Sequence, residues 1–132
     1  MNYLLDTNIC IYFLKQHPEI IKQMGQCCND EIALSIITLA ELQFGAYNSS
    51  QVENNIKRIA FLRERVRLLN LTPNTTDIYA KTKASLRKSG NIIDDFDILI
   101  GASAIENDLT LVTDNERHFS RIENLRMVNW LK

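Results

Sequence analysis

The chain has 132 residues and a formal net charge of -1, with 45% hydrophobic and 23% charged residues. These values exclude a disordered chain and fit a globular protein with its own core, so we expect residues 1–132 to form a single domain. The apolar runs are too short to cross a bilayer and we expect no secretory leader, which favours a cytoplasmic protein, whereas the near-zero charge neither favours nor excludes a nucleic-acid partner.

The first predicted element is a short strand at residues 3–5, whose unbroken apolar run is typical of a strand buried on both faces of a parallel sheet. Asp6, Thr7 and Asn8 end this run, and apolar residues then recur at helical spacing. Asp6 is therefore expected at the carboxyl end of the first strand, where open α/β sheets bind ligands. A second interpretation, in which Asp6 serves only as a helix cap, stays open.

A short second helix is expected to end near Cys28, and a second strand is predicted at 31–35. The third helix is predicted to begin near Thr38, with Glu41 in its first turn. These two residues match a capping box, in which Glu41 only returns a hydrogen bond to the cap. The alternative is that Glu41 lies beside Asp6, because helices that follow neighbouring parallel strands begin at the same edge of the sheet.

The middle of the chain is predicted to form a helix at residues 51–64, a strand within 66–71 and a helix at 77–89. The last of these helices carries several basic side chains on its polar side, including Lys83 and Arg87. Basic residues on an exposed helix usually only face water, and this is the simpler interpretation. Contact with the phosphates of a nucleic acid is the alternative.

A second group of acids, formed by Asp94, Asp95 and Asp97, stands at the entrance of a helix that is apolar almost all round. Such a helix is expected in the centre of the fold. Asp94 and Asp95 can be explained as a cap and as a favourable charge at a helix N-terminus. Asp97 directly precedes apolar residues, so we expect it to be partly buried, and a buried carboxylate needs a cation or several hydrogen-bond donors.

The C-terminal part is predicted to contain a strand at 109–112 that ends at Thr113, Asp114 and Asn115. An acid thus again follows the end of a strand. The remaining predicted elements are a short helix at 116–119 and an edge strand at 125–128.

Four carboxylates are therefore expected to meet at one edge of an α/β sheet, namely Asp6, Glu41, Asp97 and Asp114. Like charges at close range raise one another's pKa and oppose folding unless a cation joins them. Oxygen ligands suit Mg²⁺, with Mn²⁺ as the alternative ion, and such sites perform phosphoryl chemistry. The chain has no HExxH, GxSxG or P-loop motif, and its three cysteines are expected to be buried free thiols.

Four segments carry a resemblance to a known family: residues 5–8 (LDTN), 37–42 (ITLAEL), 96–102 (FDILIGA) and 111–119 (LVTDNERHF). In this order and spacing they resemble the successive motifs of the PIN-domain family, and in particular the VapC toxins of VapBC toxin–antitoxin systems. The resemblance spans nearly the whole chain. It implies an α/β fold, a three-layer α/β/α sandwich with a central, mainly parallel sheet.

The resemblance also implies an Mg²⁺-dependent ribonuclease that forms homodimers and is inhibited by a cognate VapB-like antitoxin in a hetero-oligomer. Carried over by position, Asp6 and Asp97 match the principal metal ligands, and Glu41 matches a third acid that acts on the metal or on water. The fourth position is open between Asp114, the better anionic ligand, and Asn115, which matches the more regular slot.

Asp95 matches no required position of the family and stays an alternative to Asp97. The resemblance also assigns supporting roles to further polar residues. The side chains expected to orient the carboxylates are Thr7, Asn8 and Thr113.

The expected reaction is in-line attack of metal-activated water on an RNA phosphodiester, which leaves 5′-phosphate and 3′-hydroxyl ends. Basic side chains would hold the RNA outside the acidic site, and the candidates are Lys83, Arg87 and Arg117. The third helix and the helix at 51–64 are expected to form an apolar groove that takes an amphipathic antitoxin helix.

Two other functions fit part of the pattern. A haloacid-dehalogenase-like aspartyl phosphotransferase also places an Asp after its first strand, but its first motif has a second Asp where this chain has Asn8, and 132 residues leave little room for its cap. A non-catalytic PIN-like interaction module would have lost some of the acids, and none is lost here.

Overall fold

The computed structural model describes residues 3–132. Its five strands are β1 (Tyr3–Leu5), β2 (Ile32–Ser35), β3 (Arg67–Leu69), β4 (Thr110–Val112) and β5 (Arg126–Val128). The α-helices in the described residues are α1 (Thr7–Leu14), α2 (Pro18–Gly25), α3 (Ile36–Tyr47), α4 (Val52–Arg65), α5 (Pro73–Lys88), α6 (Asp95–Glu106) and α7 (Glu116–Phe119). A 3₁₀ turn at Asn29–Glu31 leads into β2.

The strands form one parallel sheet in the order β3-β2-β1-β4-β5. The chain builds outward from β1 to β3 and then crosses back, so that β4 pairs with the free side of β1. The carboxyl ends of β1 and β4 therefore lie at the topological switch point, where open parallel sheets form a crevice.

Helices cover both faces of the sheet and bury two apolar cores. On one face, Leu5 and Leu34 pack with apolar residues of α1, α2, α3 and α4. On the other face, Leu4 and Leu111 pack with residues of α5, α6 and α7. Successive strand residues point to opposite faces, which explains why the strands carry unbroken apolar runs. The predicted three-layer α/β/α sandwich with a parallel sheet is confirmed.

The third helix begins earlier than the sequence predicted. α3 starts at Ile36, and its N-cap is Ser35, whose hydroxyl accepts a hydrogen bond from the backbone N–H of Ile37. The predicted start near Thr38 and the capping box were therefore wrong, because Thr38 is a buried residue inside the helix. Since Ser35 ends β2 and caps α3 without a loop, Glu41 lies in the second turn.

The predicted ends of two other helices were also wrong. α5 begins at Pro73 rather than at residue 77, because Thr72 caps the helix and a proline fits its first turn. α2 ends at Gly25, before the predicted end near Cys28, and the 3₁₀ turn follows.

The cysteines are free thiols, as predicted, although only Cys10 is buried. Cys27 is half-buried and Cys28 is exposed, because both follow the end of α2. In residues 3–132 the structure contains no helix of the length and hydropathy that a membrane span requires.

Candidate active site

Asp6 lies at the switch point and is only 5% exposed. Its Oδ1 accepts a hydrogen bond from the backbone N–H of Ile9 at 2.9 Å, which makes it the N-cap of α1. Its Oδ2 accepts a hydrogen bond from the hydroxyl of Thr113, just after β4. The same carboxylate thus caps a helix and faces the crevice, so the two interpretations of the sequence are compatible.

The residues that follow β4 form the other wall of the crevice. Asp114 accepts a hydrogen bond from the Tyr12 hydroxyl at 2.8 Å, and its negative charge contributes to the raised pKa of Asp6. Asn115 instead stands at the N-cap position of α7 and donates its backbone N–H to the Thr113 hydroxyl. Of the two candidates for the fourth position, the structure thus couples Asp114 to Asp6.

Glu41 reaches the same edge from α3. Its Oε1 accepts a hydrogen bond from the Thr7 hydroxyl at 2.7 Å, and the hydroxyl of buried Thr38 lies 3.2 Å from that of Thr7. Burial raises the pKa of Glu41, the Thr7 hydrogen bond opposes this, and the negative charge of Asp97 raises the pKa further. Glu41 therefore belongs to the acidic group and not to a helix cap.

Asp97 lies in the first turn of α6, and its side chain is 34% exposed, which agrees with the expected partial burial. Its Oδ2 lies 3.1 Å from Nε2 of His118 on α7. Burial raises the pKa of Asp97, and the nearby His118 opposes this shift. A neutral imidazole with its proton on Nε2 would donate to this carboxylate.

The four carboxylates are supported in the same way, since each accepts a hydrogen bond from a Thr or Tyr hydroxyl or lies within hydrogen-bond distance of a His ring. The pairs are Thr113 with Asp6, Thr7 with Glu41, Tyr12 with Asp114, and His118 with Asp97. Within residues 3–132, no Lys or Arg forms an ion pair with any of the four. The acids are therefore oriented without a lysine or arginine partner among the described residues, and Asp97 has a histidine beside it.

Burial is the main cause of a large pKa shift at Asp6. Burial raises its pKa from 3.8 to about 6, although the hydrogen bonds from Thr113 and Ile9 oppose the shift. The negative charges of Asp114 and Asp97 add to it. A cation at this edge would relieve both effects.

The donor set fits a hard divalent cation, because it consists of carboxylate oxygens. In the part of the chain that the structure describes, no three Asp, Glu, His or Cys side chains already form a ligand cage. Mg²⁺ normally keeps several waters and binds through one or two carboxylates, so it does not require such a cage. Asp6 and Asp97 lie close enough for their negative charges to interact.

Other residues named from the sequence lie outside this group. Asp95 pairs with Lys83 at 2.8 Å and accepts a hydrogen bond from the Tyr79 hydroxyl, and Lys83 holds the pKa of Asp95 low. Asn8 is exposed on α1. Asp94 caps α6, as the sequence predicted.

The three basic candidates also differ in their surroundings. Lys83 is engaged by Asp95, which leaves it less available to RNA. Arg87 near the end of α5 and Arg117 on α7 are exposed.

Sequence reasoning missed Tyr12 and His118, the partners of two of the acids. In the sequence pattern Tyr12 is only an apolar position of α1, and His118 lacks the spacing of a zinc protease. The available signal for His118 was its place within the segment 111–119, a few residues after Asp114.

The chain is similar to known ribonucleases along its whole length. A model of the PIN domain matches residues 3–125. The sequence is 37% identical over 134 residues to ribonuclease VapC2 of Rickettsia felis, and the match covers 100% of both chains. It is 30% identical over 130 residues to the tRNA(fMet)-specific endonuclease VapC of Shigella flexneri, with 98% of each chain covered.

Solved structures show the same relationship. The crystal structure of VapBC2 from Rickettsia felis, bound to a DNA fragment from its promoter, contains a chain that matches this one with a TM-score of 0.93 and 36% identity. The match covers 98% of this chain and 99% of that chain. The chain therefore belongs to the PIN-domain family and, within it, to the VapC ribonucleases.

Proposed function

We propose that this chain is the ribonuclease toxin of a type II toxin–antitoxin system, built as a single PIN domain over residues 1–132. The observation that carries the proposal is the group of four buried or half-buried carboxylates at the switch point, which no Lys or Arg of residues 3–132 neutralises. A non-catalytic module does not need such an arrangement. The PIN-domain match also disfavours a haloacid-dehalogenase-like enzyme.

VapC ribonucleases are generally metal-dependent, and we propose Mg²⁺ for this one, with Mn²⁺ as the alternative. Asp6 and Asp97 would hold the ion, and Asp114 would complete the anionic site. When bound, the ion supplies positive charge to the phosphate oxygens and makes water more acidic. Thr113, Tyr12 and His118 orient the three carboxylates, each through one oxygen.

Glu41 is the group that we propose to take a proton from the attacking water. Its Oε1 is held by Thr7, which leaves Oε2 available as an acceptor. Burial raises the pKa of Glu41, and a raised carboxylate pKa favours a general base near neutral pH. Attack by water, rather than by the RNA 2′-hydroxyl, forms the new P–O bond while the P–O3′ bond breaks, and the 3′-oxygen gains a proton from solvent, which leaves 5′-phosphate and 3′-hydroxyl ends.

The proposed substrate is RNA in the cytoplasm. The Shigella flexneri relative is named as a tRNA(fMet)-specific endonuclease, so tRNA is the first class of substrate to test. We propose that Arg87 and Arg117, which are exposed, contact phosphates and that Lys83 contributes less because Asp95 engages it.

We also propose a VapB-like antitoxin as the partner, since the Rickettsia felis structure is a VapBC complex. A groove of about 250 Å³ between α1, α3 and α4 borders Glu41, and it shares Leu14 and Arg58 with a larger groove of about 790 Å³ between α1, α2 and α4. Exposed Phe61 lines the larger groove, and basic side chains surround it. An amphipathic helix with acidic residues would fit this surface.

The grooves extend the predicted antitoxin site beyond α3 and α4 to α1 and α2. The homodimer and the hetero-oligomer with antitoxin are parts of the same proposal. Copurification of the antitoxin with Phe61→Glu as efficiently as with wild type would contradict the groove assignment.

The function is tested by incubating purified, antitoxin-free protein with total cellular RNA in the presence of Mg²⁺ or EDTA. We expect discrete cleavage that requires the metal and that is lost in Asp6→Asn and in Asp97→Asn. Sequencing of the product ends should show 5′-phosphate and 3′-hydroxyl groups. Products with 2′,3′-cyclic phosphate would contradict the proposed attack by water.

The matched control is Asp77→Asn. Asp77 is an exposed acid on α5 that pairs with Lys81, so its replacement changes the charge equally without touching the site. Its activity should equal that of wild type. Metal-independent cleavage, or full activity in the two site variants, would overturn the proposal.

A further inference from the structure

A cleft between α5 and α6 is not used by the proposed chemistry. We call it the α5–α6 cleft; the C-terminal half of α5, the connecting loop and the start of α6 line it, and its volume is about 600 Å³. Its floor is apolar, since Leu86, Ile93 and Ile98 are buried there. Ile92 on its wall is 87% exposed and so presents an aliphatic surface to an incoming molecule.

The α5–α6 cleft adjoins the acidic site through Asp94. This residue lines the cleft, and its negative charge raises the pKa of both Glu41 and Asp97. The start of α6 therefore borders both the acidic site and the cleft.

The charged side chains of the cleft are not equivalent. Lys83 pairs with Asp95, and Asp94 is occupied as the cap of α6 by the backbone N–H of Phe96. Arg87 is exposed and forms no ion pair with any residue in the range 3–132. The cleft thus offers one available cation beside an apolar surface.

We propose that the α5–α6 cleft binds one nucleotide of the RNA next to the cleaved bond, with its base against Ile92 and the apolar floor and its phosphate on Arg87. The inference rests on the proposed ribonuclease function. Pockets that bind small molecules typically have volumes of roughly 300–1,000 Å³. The α5–α6 cleft, at about 600 Å³, falls within this range and is large enough for a nucleotide. Proteins recognise single-stranded RNA by accommodating splayed bases, so the cleft helps to select the cleavage site.

Binding is measured with Asp6→Asn as the background, because this variant is expected not to cut the probe. The probe is a labelled RNA that spans the site cut by the wild-type protein. Adding Arg87→Gln should weaken binding about tenfold, as expected for the loss of one hydrogen bond to a charged group. It should also reduce the slope of log affinity against log salt by about 0.7, the value for one phosphate contact on a single strand.

The matched control is Lys81→Gln, which removes one positive charge from the same helix. Lys81 is exposed, pairs with Asp77 and lies outside the α5–α6 cleft. Its effect on affinity should be below about twofold, as expected for an exposed charge. Equal losses for Arg87→Gln and Lys81→Gln would reduce Arg87 to a general electrostatic role and would overturn the inference.

The base contact is tested with Ile92→Ser and Ile92→Leu in the otherwise unchanged enzyme. Because Ile92 is 87% exposed, neither change should affect folding. We expect Ile92→Ser to reduce cleavage at the sites that wild type prefers relative to other sites in total RNA, and Ile92→Leu to retain the wild-type preference. An unchanged pattern in Ile92→Ser would contradict the proposed base contact.

The experiments distinguish an error in the proposed nucleotide site from an error in the proposed ribonuclease function. If Ile92→Ser changes the oligomeric state in sedimentation, the cleft is a contact between copies of the chain and the inference is wrong. If wild type shows no metal-dependent cleavage at all, the ribonuclease function itself fails. If wild type cleaves RNA normally and the Arg87 and Ile92 variants behave like wild type, only the proposed nucleotide site is overturned.

Discussion

Asp6 is ionised at neutral pH against the effect of burial, which raises its pKa from 3.8 to about 6. Between these two pH values, the folded protein retains a proton that the unfolded chain has released. The free energy of unfolding therefore falls as the pH rises through this range, and the loss is complete above it. At about 1.36 kcal/mol per pKa unit, the loss at pH 7 is on the order of 3 kcal/mol.

We therefore expect Asp6→Asn to raise the free energy of unfolding of the metal-free protein at pH 7 by about 1–2 kcal/mol. This gain in stability is smaller than the stability that ionisation of Asp6 removes. The Asn side chain can still accept a hydrogen bond from the backbone N–H of Ile9, but it fits the Thr113 hydroxyl less well. Urea unfolding in EDTA measures the difference, which should shrink towards pH 4. Asp77→Asn, an exposed control, should stay within about 0.5 kcal/mol of wild type.

A lower stability of Asp6→Asn than of wild type at pH 7 would show that the hydrogen bonds outweigh the burial of charge. In that case Asp6 would be chiefly a structural cap. Asp6 both caps α1 and lies in the acidic site, so the measurement shows which role dominates its effect on stability.

His118 is expected to position Asp97 rather than to bind RNA. Its Nε2 lies 3.1 Å from Asp97 Oδ2, so His118→Leu leaves that oxygen without its partner. Residues that orient a metal ligand typically contribute about 10–100-fold in metal affinity. We expect His118→Leu to weaken Mn²⁺ binding by at least about tenfold, measured by electron paramagnetic resonance on metal-free protein.

Two variants distinguish positioning from a general loss of structure. His118→Gln retains a donor of similar reach and should recover part of the affinity. Asp77→Asn, at an exposed position of α5 that pairs with Lys81, is the control and should leave Mn²⁺ affinity unchanged. Wild-type affinity in His118→Leu would exclude the positioning role.

At the scale of the elements, α6 depends on close packing at Gly101. A Cβ at this position would lie 3.1 Å from Cδ1 of Ile122 and 3.7 Å from Cδ2 of Leu125. Gly101→Val therefore forces the buried α6 away from its neighbours and should lower the free energy of unfolding by about 1–3 kcal/mol. Since α6 carries Asp97, the apparent metal affinity should fall as well.

Gly45 on α3 is the matched control, because a Cβ there would have no neighbour within 4 Å. Gly45→Ala should raise the free energy of unfolding by about 0.5–1 kcal/mol, since alanine favours the helix. Thermal or urea unfolding of both variants tests the pair. A Gly101→Val protein as stable as wild type would mean that the space beside α6 is adaptable.

The sequence predicted the existence and order of the elements better than their limits. Unbroken apolar runs identified the buried strands, and helical spacing identified the helices between them. The start of α3 was misplaced because Ser35 both ends β2 and caps the helix, so no polar loop marks the boundary. The start of α5 was misplaced because a proline is typical both of loops and of the first turn of a helix, and here Pro73 follows the cap Thr72 as the first residue of the helix.

At the scale of the whole molecule, the resemblance named Thr7 and Thr113 as side chains that orient the acids, but the sequence did not tell which carboxylate each one holds, and it missed Tyr12 and His118. Tyr12 and Asp114 are 102 residues apart, and Asp6 and Thr113 are 107 apart. These contacts exist because the chain returns to place β4 beside β1. Local periodicity carries no information about such a return, so the supporting contacts required the structure.

The arrangement of the whole molecule also determines how a metal ion should affect stability. An ion that binds only the folded state stabilises it by about 2.7 kcal/mol at a hundredfold excess over its Kd. We expect Mg²⁺ to raise the Tm of wild type by about 5–10 °C at pH 7.5, with EDTA reversing the effect. Asp97→Asn should show little of this rise.

The increase in Tm should largely disappear at pH 5. Burial raises the pKa of Asp6 to about 6 and also raises those of Glu41 and Asp97, so protons compete with the ion at this pH. Differential scanning fluorimetry at the two pH values, with Asp77→Asn as the control, measures the difference. An equal Mg²⁺ effect at pH 5, or an undiminished one in Asp97→Asn, would place the ion away from these carboxylates.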